Sequence, residues 1–165
     1  MLDPHELLQV ARALAAGPSP VDAELRRAIS SAYYALFHAT LKMATERFVG
    51  APHRTTSAYA LIYRGFVHNR MKDVCRAIDR PILGQRHQTL LQRTRVSPEA
   101  RTFANAFVSL QALRHRADYD PQVAFRRSDA VDACDQAESA AQALAAIDPV
   151  ELTDILALLL VEARV

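Results

Sequence analysis

The chain contains little of what several classes of protein site require. Its 165 residues include two cysteines, Cys75 and Cys134, which form no CxxC pair, so we expect two reduced, buried thiols and no disulfide framework. Four scattered glycines do not make a Gly-rich phosphate-binding loop. The six histidines show no i, i+4 or HExxH pairing, so we expect no metal site and no cofactor.

Long apolar runs and a basic leader segment are also missing. The start, MLDPHELLQV, carries acidic residues where a signal peptide carries basic ones. The most apolar run, ILALLLV at 155–161, is far shorter than the roughly 20 residues of a membrane helix. Half of the residues are hydrophobic, which is enough for a core without disulfides. We therefore expect a cytoplasmic protein with no membrane segment and one domain over 1–165.

Charge is distributed unevenly along the chain. Residues 53–101 hold nine Arg and one Lys against three acidic residues, whereas 117–165 hold three Arg against ten acidic residues. This segregation favours an anionic partner for the basic segment, complementary contacts within an oligomer, or simply a solvated surface. Eighteen of the twenty basic residues are Arg, which suits bidentate phosphate contacts but also follows from biased genome composition.

Helical patterns dominate and no strand-like alternation is present. Pro and Gly signals and N-capping residues set the expected boundaries. We expect a basic connection over 80–97, with room for a short helical turn, and a short last helix after Pro149. The longer helices are predicted at 4–16, 20–48, 57–79, 98–120 and 128–147. Helices of this length joined mostly by short loops predict an all-α, up-and-down bundle of about five helices.

An arginine interrupts the apolar stripe of the fourth predicted helix. At about 100° per residue, Arg114 falls on the same face as four apolar residues. A guanidinium there is costly unless it is paired, and Asp118, one turn further on, is placed to pair with it. Arg114 is therefore either a structural partner of Asp118 or a ligand-binding charge. The apolar members of the stripe are Phe103, Phe107, Leu110 and Ala117.

The second predicted helix has two distinct faces. Opposite its apolar stripe, Tyr34 and His38 lie one turn apart, which is unusual for a solvated surface. They form either an interface, where aromatic residues concentrate, or a cleft in which His38 acts as an acid or base. The apolar stripe comprises Leu25, Ile29, Tyr33, Leu36, Thr40 and Ala44, and the second face comprises Arg27, Ser31, Tyr34, His38 and Thr45.

Two segments resemble a known family. RRAISSAYYALFHAT at 26–40 is similar to the second-helix signature of HEPN-domain proteins, and LRHRADYDP at 113–121 is similar to the R-x-x-A-D-Y-D of their small bacterial and archaeal branch. The strict match covers about 25 residues, while the pattern extends over 20–145. The resemblance implies an α-helical bundle that forms a homodimer. It also implies RNA or nucleotide association, in a superfamily that includes toxin ribonucleases paired with nucleotidyltransferase-type antitoxins.

The resemblance assigns roles to particular residues. The family nuclease motif is R-x-x-x-x-H, which places its arginine at Arg114 and its polar follower at His115, whereas Tyr119 occupies the position of the catalytic histidine. A tyrosine with a pKa near 10 is a poor general base at neutral pH, so the standard metal-independent endoribonuclease mechanism is not expected unchanged. The candidate catalytic residues are Arg114, His115 and Tyr119, and the candidate ligand-binding residues are Asp118, Tyr34, His38 and Arg27. The alternative is a non-catalytic helical module for dimerisation or partner binding.

Overall fold

Eight α-helices and a short 3₁₀ turn make up the secondary structure of residues 2–161, which are the residues that the computed structural model describes. The 3₁₀ turn is Ala51–His53. The helices are α1 Pro4–Ala16, α2 Asp22–Phe48, α3 Ser57–Arg64, α4 His68–Ile78, α5 Gln85–Leu91, α6 Pro98–Tyr119, α7 Arg127–Ala146 and α8 Pro149–Leu160. No strand is present over this range. The all-α prediction is therefore confirmed.

The number of helices differs from the prediction of about five. The single helix predicted at 57–79 is two helices, because α3 ends at Arg64 and Gly65 caps it by donating to the Ile62 carbonyl. A side chain at 65 would force Leu160 to shift, since an added Cβ would lie 2.8 Å from Cδ1 of Leu160. Within the predicted basic connection, 85–91 forms the complete helix α5.

The predicted helix starts are confirmed where capping residues are present. The Asp3 carboxylate accepts from the His5 N–H at the start of α1, and Ser97 Oγ accepts from the Ala100 N–H at the start of α6. Asp148 Oδ1 accepts from the N–H groups of Val150 and Glu151 at the start of α8. Each cap satisfies backbone donors that the helix itself leaves unpaired.

The Cα positions divide the chain into two compact units. The first unit runs up to Ala39 and includes Ala106–Gln142; the second consists of Thr40–Asn105 and the chain from Ala143 onward. Helices α2, α6 and α7 contribute residues to both. The single-domain prediction for 1–165 stays a prediction.

The first unit is held by apolar packing and by arginines that reach between helices. Arg12 on α1 contacts Asp135 and Glu138 on α7, at 2.8 and 2.6 Å. Arg127, at the start of α7, donates to the Gly17 carbonyl at 2.6 Å. The buried core includes Ala11, Ile29, Tyr33, Leu36, Phe107, Leu110, Ala130 and Cys134. These contacts position the part of α2 and the part of α6 that carry the motif residues.

The second unit packs α4 against α8 and contains the buried carboxylate of Glu151. Glu151 accepts from the Ser97 N–H at 2.8 Å and lies 3.3 Å from Arg93 Nη1, while Arg93 Nη2 contacts Asp154 at 2.6 Å. Its core includes Met71, Cys75, Ile78, Leu83, Phe103, Ile155 and Leu159. Both cysteines are free and buried, as predicted. Over the described residues, no helix is long and apolar enough to cross a bilayer.

Candidate functional site

Arg114 is held within the first unit by a carboxylate and a phenol. Its Nη2 donates to Tyr34 Oη at 2.8 Å, and its Nε lies 2.7 Å from Asp118 Oδ2. The Nε–H is poorly directed toward that oxygen, so the Asp118 contact is an ion pair and not a directed hydrogen bond. The predicted pairing of Arg114 with Asp118 is therefore present, and Tyr34 is a further partner.

Two aromatic rings lie under the same guanidinium. Cζ of Arg114 is 5.3 Å from the ring centroid of Tyr34 and 5.6 Å from that of Tyr119, within the range of cation–π attraction. Burial lowers the pKa of Arg114, but the oxygens of Tyr34, Asp118 and Tyr119 outweigh burial and raise the pKa above its usual value. Arg114 therefore stays charged at every physiological pH.

The guanidinium retains unused hydrogen-bonding capacity. An arginine has five N–H donors, and the contacts of Arg114 within residues 2–161 involve Nη2 and Nε, with none from Nη1. Its side chain is 21% exposed and that of Asp118 is 25% exposed, so an incoming group can reach them. Ser30 on α2 donates to Asp118 Oδ2 at 3.5 Å and helps to position the carboxylate.

The two remaining motif residues of α6 form the wall of an open cavity. His115 and Tyr119, one turn apart, have ring centroids 5.0 Å apart and an interplanar angle of 50°. Tyr119 is 65% exposed, which is high for a large aromatic side chain. The cavity has a volume of about 360 Å³ and is lined by His115, Arg116, Tyr119, Asp120, Pro121 and Gln122. Tyr119 therefore contacts both Arg114 and this cavity.

His38 continues the aromatic face of α2. Its ring stacks near that of Tyr34 at 6.2 Å and meets Phe37 edge-on at 5.3 Å. Burial lowers the pKa of His38, so the imidazole is neutral at pH 7. The apolar stripe predicted for α2 is buried throughout, but the opposite face is less open than predicted. Tyr34 and His38 are half-buried, and Ser31 and Thr45 are buried.

Arg27 is not brought to this cluster. It is exposed, and its side chain makes no hydrogen bond or ion pair with any residue of 2–161. The arginine beside it, Arg26, makes the contacts instead. Consecutive residues lie about 100° apart around a helix, so only one of the pair faces α6.

Arg26 on α2 forms a clamp, which holds the end of α6 through hydrogen bonds to backbone carbonyls. Its Nη1 donates to the carbonyls of Ala117 and Asp120, each at 2.9 Å, and its Nη2 donates to the Val123 carbonyl. These carbonyls include ones that a helix C-terminus leaves unpaired. Asp22 pairs with Arg26 Nε and also accepts from the Phe125 N–H at 3.2 Å. Sequence reasoning missed this clamp; its one local signal is the acid-then-base i, i+4 spacing of Asp22 and Arg26.

The described part of the chain contains no ready set of metal ligands. Across residues 2–161, no three His, Cys, Asp or Glu side chains are grouped as metal ligands. The arrangement around Arg114 offers a fixed positive charge, spare N–H donors and aromatic faces. Those are the groups that bind phosphates and stack on bases.

Comparison with known proteins identifies no relative: the chain matches no family model, no curated protein and no solved structure.

Proposed function

We propose that the chain is a HEPN-like helical protein that binds RNA or a nucleotide, with Arg114 contacting a phosphate group. The observation that carries this proposal is the state of the Arg114 guanidinium. It is oriented by Tyr34 and Asp118, yet Nη1 has no partner within residues 2–161. An oriented arginine with spare donors is suited to bidentate contact with phosphate oxygens.

The neighbouring cavity is suited to the rest of such a ligand. Its aromatic wall, Tyr119 with His115, offers faces on which an unpaired base can stack. Gln122 and Arg116 supply hydrogen-bonding groups at its edge. A nucleotide would therefore place its base in the cavity and its phosphate near Arg114, with Tyr119 between them.

The resemblance supports the same location. The segments 26–40 and 113–121, which carry it, contact each other through Arg114 with Tyr34, Ser30 with Asp118 and Arg26 with Ala117. Motif residues far apart in sequence thus lie in one place.

We propose binding without cleavage by the standard ribonuclease mechanism. The groups in contact with Arg114 are a phenol, a second tyrosine ring and a paired carboxylate. None of them is an imidazole, so the histidine that the standard mechanism uses is missing from the groups in contact with Arg114. An RNase activity would have to recruit His115 or His38.

The experiment is fluorescence anisotropy with a short, labelled single-stranded RNA of mixed sequence, competed by adenosine 5′-monophosphate. Arg114→Gln should weaken binding about tenfold, since a hydrogen bond to a charged group is lost. Arg114→Lys should be intermediate, because it keeps the charge and loses the planar fork. Gel analysis of the same RNA should show no cleavage.

The matched control is Arg126→Gln, which removes the same charge from an exposed position of the same unit. Its affinity should stay near that of the wild type. Equal affinities for Arg114→Gln and Arg126→Gln, with both variants folded, would contradict a phosphate contact at Arg114.

A second candidate function is a dimerisation module that uses the Tyr119 side of α6. The observation in its favour is the exposure of Tyr119, since large exposed aromatic residues are typical of interfaces. Sedimentation velocity should then show a concentration-dependent dimer that Tyr119→Ser converts to monomer. A monomeric wild-type protein at high concentration would remove this candidate.

A further inference from the structure

The cavity beside Arg114 carries two opposite charges at its edge. Its volume is about 360 Å³, and its lining includes Arg116, near the end of α6, and Asp120, which follows α6 directly. The rings of Tyr119 and His115 form its aromatic wall. One positive and one negative group leave the lining without net charge, which suits a neutral base better than a phosphate group.

Arg116 does not pair with Asp120, although the two are spaced i, i+4. Residues four apart lie on one face of a helix, but the order base-then-acid is the less favourable one for an ion pair. Arg116 is exposed, and its side chain makes no ion pair or hydrogen bond with any residue of 2–161. All five N–H donors of its guanidinium are therefore available to a group in the cavity.

The carboxylate of Asp120 is oriented but keeps one oxygen without a partner. Its Oδ1 accepts from the Gln122 N–H at 3.0 Å, whereas Oδ2 accepts no hydrogen bond within the part of the chain that the structure describes. The backbone of Asp120 is also held, because its N–H donates to the Arg116 carbonyl and its own carbonyl accepts from Arg26. Asp120 thus presents a positioned acceptor to the cavity.

Guanine is the base whose edges match both of these groups. Its O6 and N7 are two adjacent acceptors, which fit the fork of an arginine. Its N1–H and N2–H₂ are two adjacent donors, which fit the two oxygens of a carboxylate. Adenine has the opposite polarity, since its N6–H₂ is a donor beside N7 and its N1 is an acceptor. In single-stranded RNA both of these base edges are open to side chains.

We propose that this cavity selects guanine, with Arg116 donating to O6 and N7 and Asp120 accepting from N1–H and N2–H₂ while the base stacks on Tyr119. The inference rests on the proposed function for the phosphate contact and adds the class of base. A free guanine nucleotide and a guanine within an RNA strand supply the same chemistry.

Calorimetric titration of the full chain with mononucleotides is the first arm of the test. Guanosine 5′-monophosphate should bind about tenfold more tightly than adenosine 5′-monophosphate. Inosine 5′-monophosphate, which lacks the N2 amino group, should be intermediate. Asp120→Asn and Arg116→Gln should each lower the guanine-to-adenine ratio. The ratio is the readout, because removing a charge also changes the affinity for every anionic ligand.

The matched control is Arg126→Gln, an exposed arginine of the same unit outside the cavity lining, which should keep the wild-type ratio. Circular dichroism checks that all the variants are folded. Asp120→Asn keeps the oxygen that accepts from the Gln122 N–H, so the local turn should be preserved. A ratio that stays at the wild-type value in both Asp120→Asn and Arg116→Gln would overturn the proposal.

The second arm uses a U-rich pentanucleotide RNA with one central guanine or one central adenine. Selectivity in this arm alone assigns the site to an RNA strand, and selectivity in both arms shows that the free nucleotide is sufficient. A ratio near one in both arms, or no binding in either, would overturn the proposal.

The phosphate contact and the base selectivity can fail separately. Arg114→Gln should weaken both mononucleotides by the same factor and leave their ratio unchanged. A loss of affinity in Arg114→Gln with a wild-type ratio near one would keep the phosphate contact and overturn the selection of guanine. Guanine selectivity with no effect of Arg114→Gln would support this cavity as a guanine site and contradict the phosphate contact.

Discussion

Arg26 and Arg114 have side chains that are equally exposed, at 20% and 21%, yet their surroundings differ. Arg26 uses four of its five donors, and three of these go to backbone carbonyls near the end of α6. Arg114 contacts only side chains, and Nη1 has no partner within residues 2–161. Burial alone therefore does not separate an arginine whose donors are used within the fold from one whose donors are available to a ligand. The identity of the acceptors and the number of spare donors separate the two.

The largest effect should come from Arg26→Met. It would leave the carbonyls of Ala117, Asp120 and Val123 without their donor, and we expect the free energy of unfolding to fall by about 3 kcal/mol. Urea unfolding followed by circular dichroism measures this loss. The control Arg126→Met should change the free energy by less than about 0.5 kcal/mol. A loss no larger than that of the control would end the clamp interpretation.

Arg114→Met should destabilise the protein less than Arg26→Met does. The variant loses one hydrogen bond to Tyr34 and a partly exposed ion pair, for about 1 kcal/mol in total. The same urea titration applies. A loss as large as that of Arg26→Met would make Arg114 a structural residue and would favour the module without ligand binding.

Acidification should test the aromatic face beside Arg114. Because burial lowers the pKa of His38, the unfolded chain takes up a proton near its ordinary pKa of about 6.5 that the folded chain resists. Above this pH, protonation of His38 does not change the free energy of unfolding. As the pH falls through this value, the free energy of unfolding decreases. The melting temperature of His38→Gln should fall less between about pH 7.5 and 5.5 than that of the wild type. An identical fall in both proteins would contradict this.

The smallest effect should come from Tyr34→Phe. The ring and its cation–π contact remain, and only the hydroxyl that accepts from Arg114 is removed, at a cost of about 0.5–1 kcal/mol. The guanidinium keeps Asp118 but loses one of the two groups that orient it. RNA affinity in the anisotropy assay should therefore fall by less than it falls in Arg114→Gln. A loss as large as that of Arg114→Gln would contradict the assignment of the phosphate contact to Arg114 alone.

Much of the fold follows from local signals in the sequence. Asp3 and Ser97 mark helix starts that the structure confirms, and the apolar spacing on α2 and α6 identifies their buried faces. The pairing of Arg114 with Asp118 also follows from spacing alone, because residues four apart lie on one face of a helix. These features depend on neighbours within about one turn.

The features that were missed depend on residues distant in sequence. Gly65 caps α3, but no local pattern reveals that Leu160 approaches position 65 closely enough to disfavour a side chain there. Arg26 rather than Arg27 meets α6 because the acceptors are backbone carbonyls at 117–123, and these carry no residue-type signal. A small cavity lined by residues of α4, α5 and α8 forms only where these three helices meet, so its lining could not be predicted from the sequence.

The side-chain Nε–H signals of Arg114 and Arg26 in ¹⁵N-labelled protein give the most direct test of this contrast. They can be assigned by their loss in Arg114→Lys and Arg26→Lys and followed while a short single-stranded RNA is added. If Arg114 contacts the RNA, its signal should shift saturably while the Arg26 signal stays in place. A shift of Arg26 with Arg114 unmoved, or an unmoved Arg114 signal in protein that binds the RNA, would contradict this contact.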